Sequence, residues 1–194
     1  MRDLIKLFVV VALFSAVAGG LLAKVREATA EKIEIQQLTF VKGPTIDQIL
    51  EGCSNNPLED RFKIEDGERS IDFFIGEFDG ARNTVAFESF GKGFGGDIGV
   101  MVAVNLETDE IVGIGVTTHS ETPGVGSKAK TDPGFADQFA GQAITEAFSV
   151  KADGGSVDAV SGATITSRGV CTAVVDSADI YSRLKDEILK NIEG

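Results

Sequence analysis

The 194-residue chain is read as α+β: an apolar N-terminal helix, then one domain whose antiparallel sheet is packed by helices. Three patterns carry that reading. Residues 7–23 run without a charge. Residues 99–118 alternate apolar and small side chains across a turn. From residue 168 to 188, apolar positions recur every three or four residues. Strands and helices are segregated along the chain, which points away from an alternating α/β fold.

The uncharged run Leu7–Ala23 spans roughly 25 Å as a helix, near the lower limit for a bilayer core, and Leu4 and Ile5 extend it. A basic start and the small residues Ala16-Val17-Ala18 also outline a cleavable signal peptide. The apolar run continues through Leu21 and Leu22, which favours a retained single-pass anchor. Either reading exports the rest of the chain. Charge alone leaves orientation undecided, because Arg2 and Lys6 stand against Lys24, Arg26 and Lys32. Residues 1–26 are therefore taken as the anchor, 27–69 as an extracytoplasmic connecting segment and 70–194 as the folded domain.

Lys24 to about Gln37 favours helix, so the anchor helix is expected to continue outward. Gly43-Pro44 ends that segment, and Thr45–Leu50 fits one short helix. Residues 52–69, with Asn55, Asn56, Pro57 and Gly67, read as loops. Ser70–Phe78 and Asn83–Phe90 read as strands. In Gly99–Leu106, Val100, Val102, Val104 and Leu106 share a face. In Glu110–Thr118, Val112, Ile114 and Val116 alternate with Ile111, Gly113 and Gly115. Thr108-Asp109 supplies the turn of this hairpin. Glycines 99, 113 and 115 leave one face flat enough for close approach. Phe135 and Phe139, four apart, suggest a short helix between Thr131 and Gly141. Val170, Val174, Ala178, Tyr181, Leu184 and Ile188 mark a terminal amphipathic helix laid on the sheet.

Composition narrows the chemistry. Acidic residues outnumber basic ones 30 to 18, a net charge of −12, which argues against a nucleic-acid partner. One His and two Cys leave too few ligands for a zinc or iron–sulfur centre, so no metal site is expected. Whether Cys53 and Cys171 pair is left open by the sequence.

The stretch DAVSGATITSRGV, residues 158–170, places Ser161, Thr164 and Thr166 at the mouth of the terminal helix. Gly162 allows a sharp turn, and Thr166 or Ser167 is positioned to cap the helix. A helix start offers unpaired N–H groups and a positive dipole end, a seat for phosphate. A hydroxyl held there either caps the helix or becomes esterified by that phosphate. GKGFGG, residues 91–96, lacks the G-x-G-x-x-G spacing and βαβ context of a nicotinamide site.

Asp158-Ala159-Val160-Ser161-Gly162-Ala163-Thr164 resembles the D-x-x-[ST]-G-A-T signature read by flavin transferases on covalent-FMN domains. That domain occurs in the G-type subunit of the Rnf electron-transport complex and in the C-type subunit of the sodium-pumping NADH:quinone reductase. His119-Ser120-Glu121-Thr122-Pro123-Gly124-Val125-Gly126-Ser127-Lys128 is similar to the H-x-E-T-P-G-L-G-x-K loop of the same family, and Gly91–Gly96 to its glycine-rich segment. The likeness covers about residues 85–180 plus the anchor. It departs at Val125, where the family has Leu, and at Cys171.

The resemblance implies that Thr164 carries FMN through a phosphoester bond. Asp158, Ser161, Gly162, Ala163 and Thr164 would be the transferase's recognition sequence, with Ser161, Gly162 and Ala163 also beside the cofactor. His119, Glu121, Thr122, Gly124 and Val125 would border the flavin, and Lys128 would be a charge partner. The missing catalytic base is then no puzzle, since the chain is the substrate of attachment. The implied protein is a phosphoester-modified flavoprotein of the Rnf complex, a membrane-bound, ion-translocating ferredoxin:NAD oxidoreductase. That complex is a translocase, and the implied protein has no catalytic turnover of its own. Its partners would be the other proteins of the complex and the transferase. Its domain would face the extracytoplasmic, periplasmic side of the inner membrane. The C-type subunit of a Na+-translocating NADH:quinone reductase and a stand-alone extracytoplasmic FMN-binding protein are the alternatives.

Overall fold

Arg2–Gln37 form one uninterrupted helix, α1, none of whose residues is buried. The structure, a computed structural model, describes residues 2–67 and 69–193. It divides into two compact units, one ending at Phe40 and one beginning at Val41. Within α1 the large apolar side chains all face outward, Phe8 and Phe14 at 73% and 75% exposure. The helix is long and apolar enough to cross a membrane.

The second unit starts with α2 (Gly43–Ile49), where Pro44 occupies the first turn and needs no N–H partner. Five antiparallel strands follow in plain meander order: β1 (Arg61–Asp66), β2 (Arg69–Phe78), β3 (Ala81–Lys92), β4 (Asp97–Asn105) and β5 (Ile111–Thr118). Two short turns, α3 (Lys128–Thr131) and α4 (Pro133–Ala136), lead by a long loop to α5 (Thr164–Glu193). The architecture is α+β, as the alternation and periodicity predict.

β4 explains the layering. Its residues from Ile98 to Val104 are all buried, so both faces of the sheet are covered. Val100, Val102 and Val104 join Phe73, Phe87 and the α5 stripe Val170, Val174, Leu184 and Ile188 in one core. Met101 and Ala103 point the other way, towards the side where α2 lies. The flat glycine face is what α2 occupies: a Cβ on Gly115 would stand 2.3 Å from Thr45 Cγ2.

Several local expectations are corrected. Residues 61–66, expected as loop, are the edge strand β1. Ile64 is buried and Phe62 stacks on Phe73 at 5.5 Å, while charged neighbours alternate outward and hide the pattern. In β5 the alternation breaks: Ile114 pairs with Val102 but Ile111 with Val104, leaving Val112 as an extra residue. Ile111 is therefore buried and Val112 exposed, the reverse of strict alternation. The helix expected between 131 and 141 is split by Pro133 into single turns, although Phe135 and Phe139 still meet edge to face at 5.8 Å. The terminal helix begins at Thr164 rather than near Arg168.

The far half of α5 is clamped to the β4–β5 turn. Tyr181 Oη donates to Asp109 Oδ1 at 2.6 Å, and Lys185 Nζ reaches both Asp109 oxygens at 2.5 and 2.7 Å. Asp109 itself sits at φ 57, a left-handed conformation that aspartate tolerates in a turn. The Lys185 and Tyr181 bonds hold its carboxyl below the ordinary aspartate range, outweighing its partial burial. Both cysteines are free thiols; burial in α5 pushes Cys171 up to about 11, which makes it unreactive.

Candidate functional site

The turn before α5 is built by its own hydroxyls. Ala163 N–H donates to Val160 O at 2.9 Å, and Gly162 takes φ 77 to bring the chain round. Ser167 Oγ accepts the Val160 N–H at 3.0 Å and donates to Ala163 O at 3.0 Å. Thr166 Oγ1 donates to Glu121 Oε2 at 2.5 Å. Neither residue caps the helix as expected; both lie inside its first turn and tie that turn to what surrounds it. Thr164 differs. It is half-buried, and its hydroxyl makes no hydrogen bond to any described residue. The first N–H groups of α5 have no intrahelical acceptor.

Opposite stands the loop after β5. Thr122 O accepts the N–H groups of Val125 at 3.2 Å and Ser127 at 3.3 Å, and Gly124 turns the chain at φ 75. Glu121 is 7% exposed and fully engaged: Oε1 accepts the Gly95 N–H at 2.8 Å and Oε2 the Thr166 hydroxyl. Burial pushes its carboxyl up, but the bonds from Thr166, Gly95 and Phe94, with His119 nearby, outweigh it and hold the group below the ordinary glutamate range. An ionised, doubly bonded carboxylate is a structural charge rather than a base. His119 Nδ1 accepts the Glu121 N–H at 3.3 Å.

The glycine-rich segment serves packing. Where β3 crosses α5, a Cβ on Gly91 would lie 1.8 Å from Gly169 O, so two backbones touch directly. This crossing delivers Phe94 and Gly95 to Glu121.

The three segments enclose a cavity of about 380 Å³. Thr164, Ala163 and Gly162 form one wall, with Glu121, Thr122 and Val125 facing them. Phe94, Val125 and Ile165 are apolar yet 73%, 42% and 46% exposed, an open rim for a flat ring. A free hydroxyl, unpaired helix-start amides and apolar walls are the groups that a phosphate joined to an aromatic ring needs.

Other residues singled out in the sequence lie outside the lining. Ser161 is exposed just before the turn, Gly124 shapes the facing loop and His119 stands behind Glu121. Lys128 is exposed at the start of α3. Asp158 is exposed, its carboxylate 2.7 Å from Lys151 Nζ and its N–H donating to Gln138 Oε1 at 2.6 Å. The cavity includes Gly126, which the loop motif brings close to the ring, and adds Phe94, Ile165 and Thr166, which motif reasoning does not assign to the cofactor. Phe94 and Ile165 carry a signal: large apolar residues inside polar, glycine-rich stretches. Among the described residues, no cluster of His, Cys, Asp or Glu is placed to hold a metal ion.

The FMN-binding domain family matches residues 93–179. The ion-translocating oxidoreductase complex G-type subunit of Cereibacter sphaeroides is 33% identical over 91% of this chain and 84% of its own length. Its counterpart in Methanosarcina acetivorans is 30% identical over 93% and 96%. Among solved structures, the C-type subunit of the Na(+)-translocating NADH-quinone reductase of Parabacteroides distasonis superposes with TM-score 0.50 and 29% identity. That superposition covers 59% of this chain and 62% of that one.

Proposed function

Because the chain belongs to the G-type subunit family of ion-translocating oxidoreductase complexes, we propose that Thr164 is esterified by FMN and that this flavin relays electrons between neighbouring proteins of such a complex. The chain is a redox subunit whose cofactor is FMN. The observation that carries the finer reading is the contrast among hydroxyls: Thr166 and Ser167 are bonded, whereas Thr164 lines the cavity with its oxygen unbonded to any described residue.

Attachment needs a flavin transferase acting on the Asp158–Thr164 segment. Thr164 Oγ attacks the FMN-side phosphorus of FAD; the pyrophosphate P–O bond breaks, AMP leaves, and the hydroxyl proton passes to the transferase. The amides opening α5 would hold the phosphate, and the helix dipole would favour its charge. FMN, once attached, supplies electron transfer in single steps. The chain's own groups would hold the ring: Phe94, Val125 and Ile165 would bed its apolar faces, while Gly162 and Ala163 would keep backbone close to the phosphate. No proton relay is required of Glu121, which stays ionised.

The anchor, residues 1–26, holds the domain on the extracytoplasmic side of the cell membrane, beside the other proteins of a ferredoxin:NAD oxidoreductase. A covalent tether suits that side, where lost FMN is not replaced from the cytoplasm. The likeness to the quinone reductase makes quinone-linked electron transfer the competing reading. The two oxidoreductase-complex relatives, 33% and 30% identical over 91% and 93% of the chain, support the first reading.

The test is direct. The full chain, matured with its transferase, should give a fluorescent band on a denaturing gel and an intact mass increased by FMN less one water. Thr164→Ala should lose both, and a fluorescent Thr164→Ala band would refute the attachment site.

A further inference from the structure

We propose that the Glu121 carboxylate, a fixed negative charge in the wall of the acceptor cavity, lowers the reduction potential of the flavin carried there. This rests on Thr164 being the attachment point. Glu121 lines the same cavity as Thr164 while its side chain is almost wholly withdrawn from water. The room it occupies is kept by residues without side chains. A Cβ at Gly93 would stand 2.5 Å from Oε1, and one at Gly126 would stand 2.6 Å from Oε2. Both oxygens accept hydrogen bonds, from Gly95 N–H and Thr166 Oγ1, which fixes their place.

Among the described residues no Lys or Arg forms an ion pair with Glu121. His119 stands beside it in the same loop, its Nδ1 accepting the Glu121 N–H at 3.3 Å. Hydrogen bonds from neutral donors hold a carboxylate ionised without cancelling its field.

Reduction brings electrons from a neighbouring protein of the complex onto the ring; the donor is oxidised, the ring is reduced, and no bond in this chain breaks. The added negative charge meets the buried Glu121 carboxylate across the cavity that both line. At an effective dielectric of about 20 and a separation of about 10 Å, such a pair alters the reduced-to-oxidised ratio about tenfold. The partner that donates must therefore be the stronger reductant, and the loaded chain a better donor to the next carrier.

Glu121→Gln tests this cleanly. The amide is isosteric: Oε1 still accepts the Gly95 N–H, and Nε2 donates to Thr166 Oγ1, so the fold is kept while the charge goes. The comparison uses the full, matured chain as wild type, Glu121→Gln and Thr166→Val, titrated electrochemically with flavin absorbance as readout. At the wild-type midpoint, Glu121→Gln should raise the reduced-to-oxidised ratio about tenfold, and its reduced ring should deprotonate at lower pH. Thr166→Val breaks the bond but keeps the charge and should not raise that ratio. If Glu121 merely braced the loop, both variants would shift alike. A Glu121→Gln midpoint equal to wild type, on a band that still fluoresces when denatured, overturns the proposal alone. A wild-type chain without attached flavin overturns both this and the Thr164 reading.

Discussion

The two ends of α5 do opposite things with the same hydrogen-bonding groups. At its far half, Tyr181 and Lys185 are spent on Asp109, and Leu184 and Ile188 fill the core. At its near end, among the described residues, the first N–H groups have no partner and one of three hydroxyls in the first turn is unbonded. A helix fixed by its distal half leaves its start free to hold a ligand without fraying. Stability and function are thereby separated along one element.

The separation can be broken where the two ends share a support. Gly91→Ala pushes a methyl into Gly169 O, and backbone cannot step aside as a side chain can. We expect about 4 kcal/mol or more of destabilisation, read by denaturant unfolding, with flavin attachment lost as well. Ile188→Ala, at a fully buried site remote from the cavity, should cost about 3 kcal/mol. Its attachment of flavin below the unfolding transition should match wild type, and loss of flavin there would erase the distinction between the ends.

Asp109→Asn sharpens the comparison through pH. The folded carboxyl titrates below its unfolded value, so its stabilisation is present above about pH 4 and lost as pH falls through the folded pKa. The variant should show a shallower acid loss of stability than wild type and be indistinguishable from wild type at the lowest pH. The Asp109 side chain is 46% exposed, so screening limits the neutral-pH loss to about 1 kcal/mol. Thr164→Ala has the smallest effect on stability, about 0.5 kcal/mol or less, because its hydroxyl bonds to no described residue. Its melting temperature should match the flavin-free wild type.

Most of the core is legible in the sequence because β4 and α5 repeat their apolar residues at periods of two and about 3.6. β1 is hidden by its charges: Arg61, Lys63, Glu65 and Asp66 leave only Phe62 and Ile64 to speak for a strand. The β5 bulge is equally hidden, since Ile111, Val112 and Ile114 are alike apolar and only pairing with β4 decides which is extra. At the site, the motif singles out Thr164, which lies in the cavity wall. The start of α5 reads too late because Thr164, Thr166 and Ser167 resemble caps. The partners of Thr166 and Ser167, Glu121 and Val160, lie outside the helix and leave no periodic trace. His119 and Lys128 enter through the family's loop motif, and both lie outside the cavity lining, which ends at Gly126 on that loop.

The crossing of Gly91 over Gly169 has a bearing on biogenesis. The meander closes through short hairpins between consecutive strands, whereas α5 meets β3 only after nearly the whole chain has emerged. The wall bearing Glu121 and the wall bearing the acceptor hydroxyl come together at that docking. A transferase that reads the docked turn would thus discriminate between finished and unfinished polypeptides, and the yellow colour would report correct maturation of the protein.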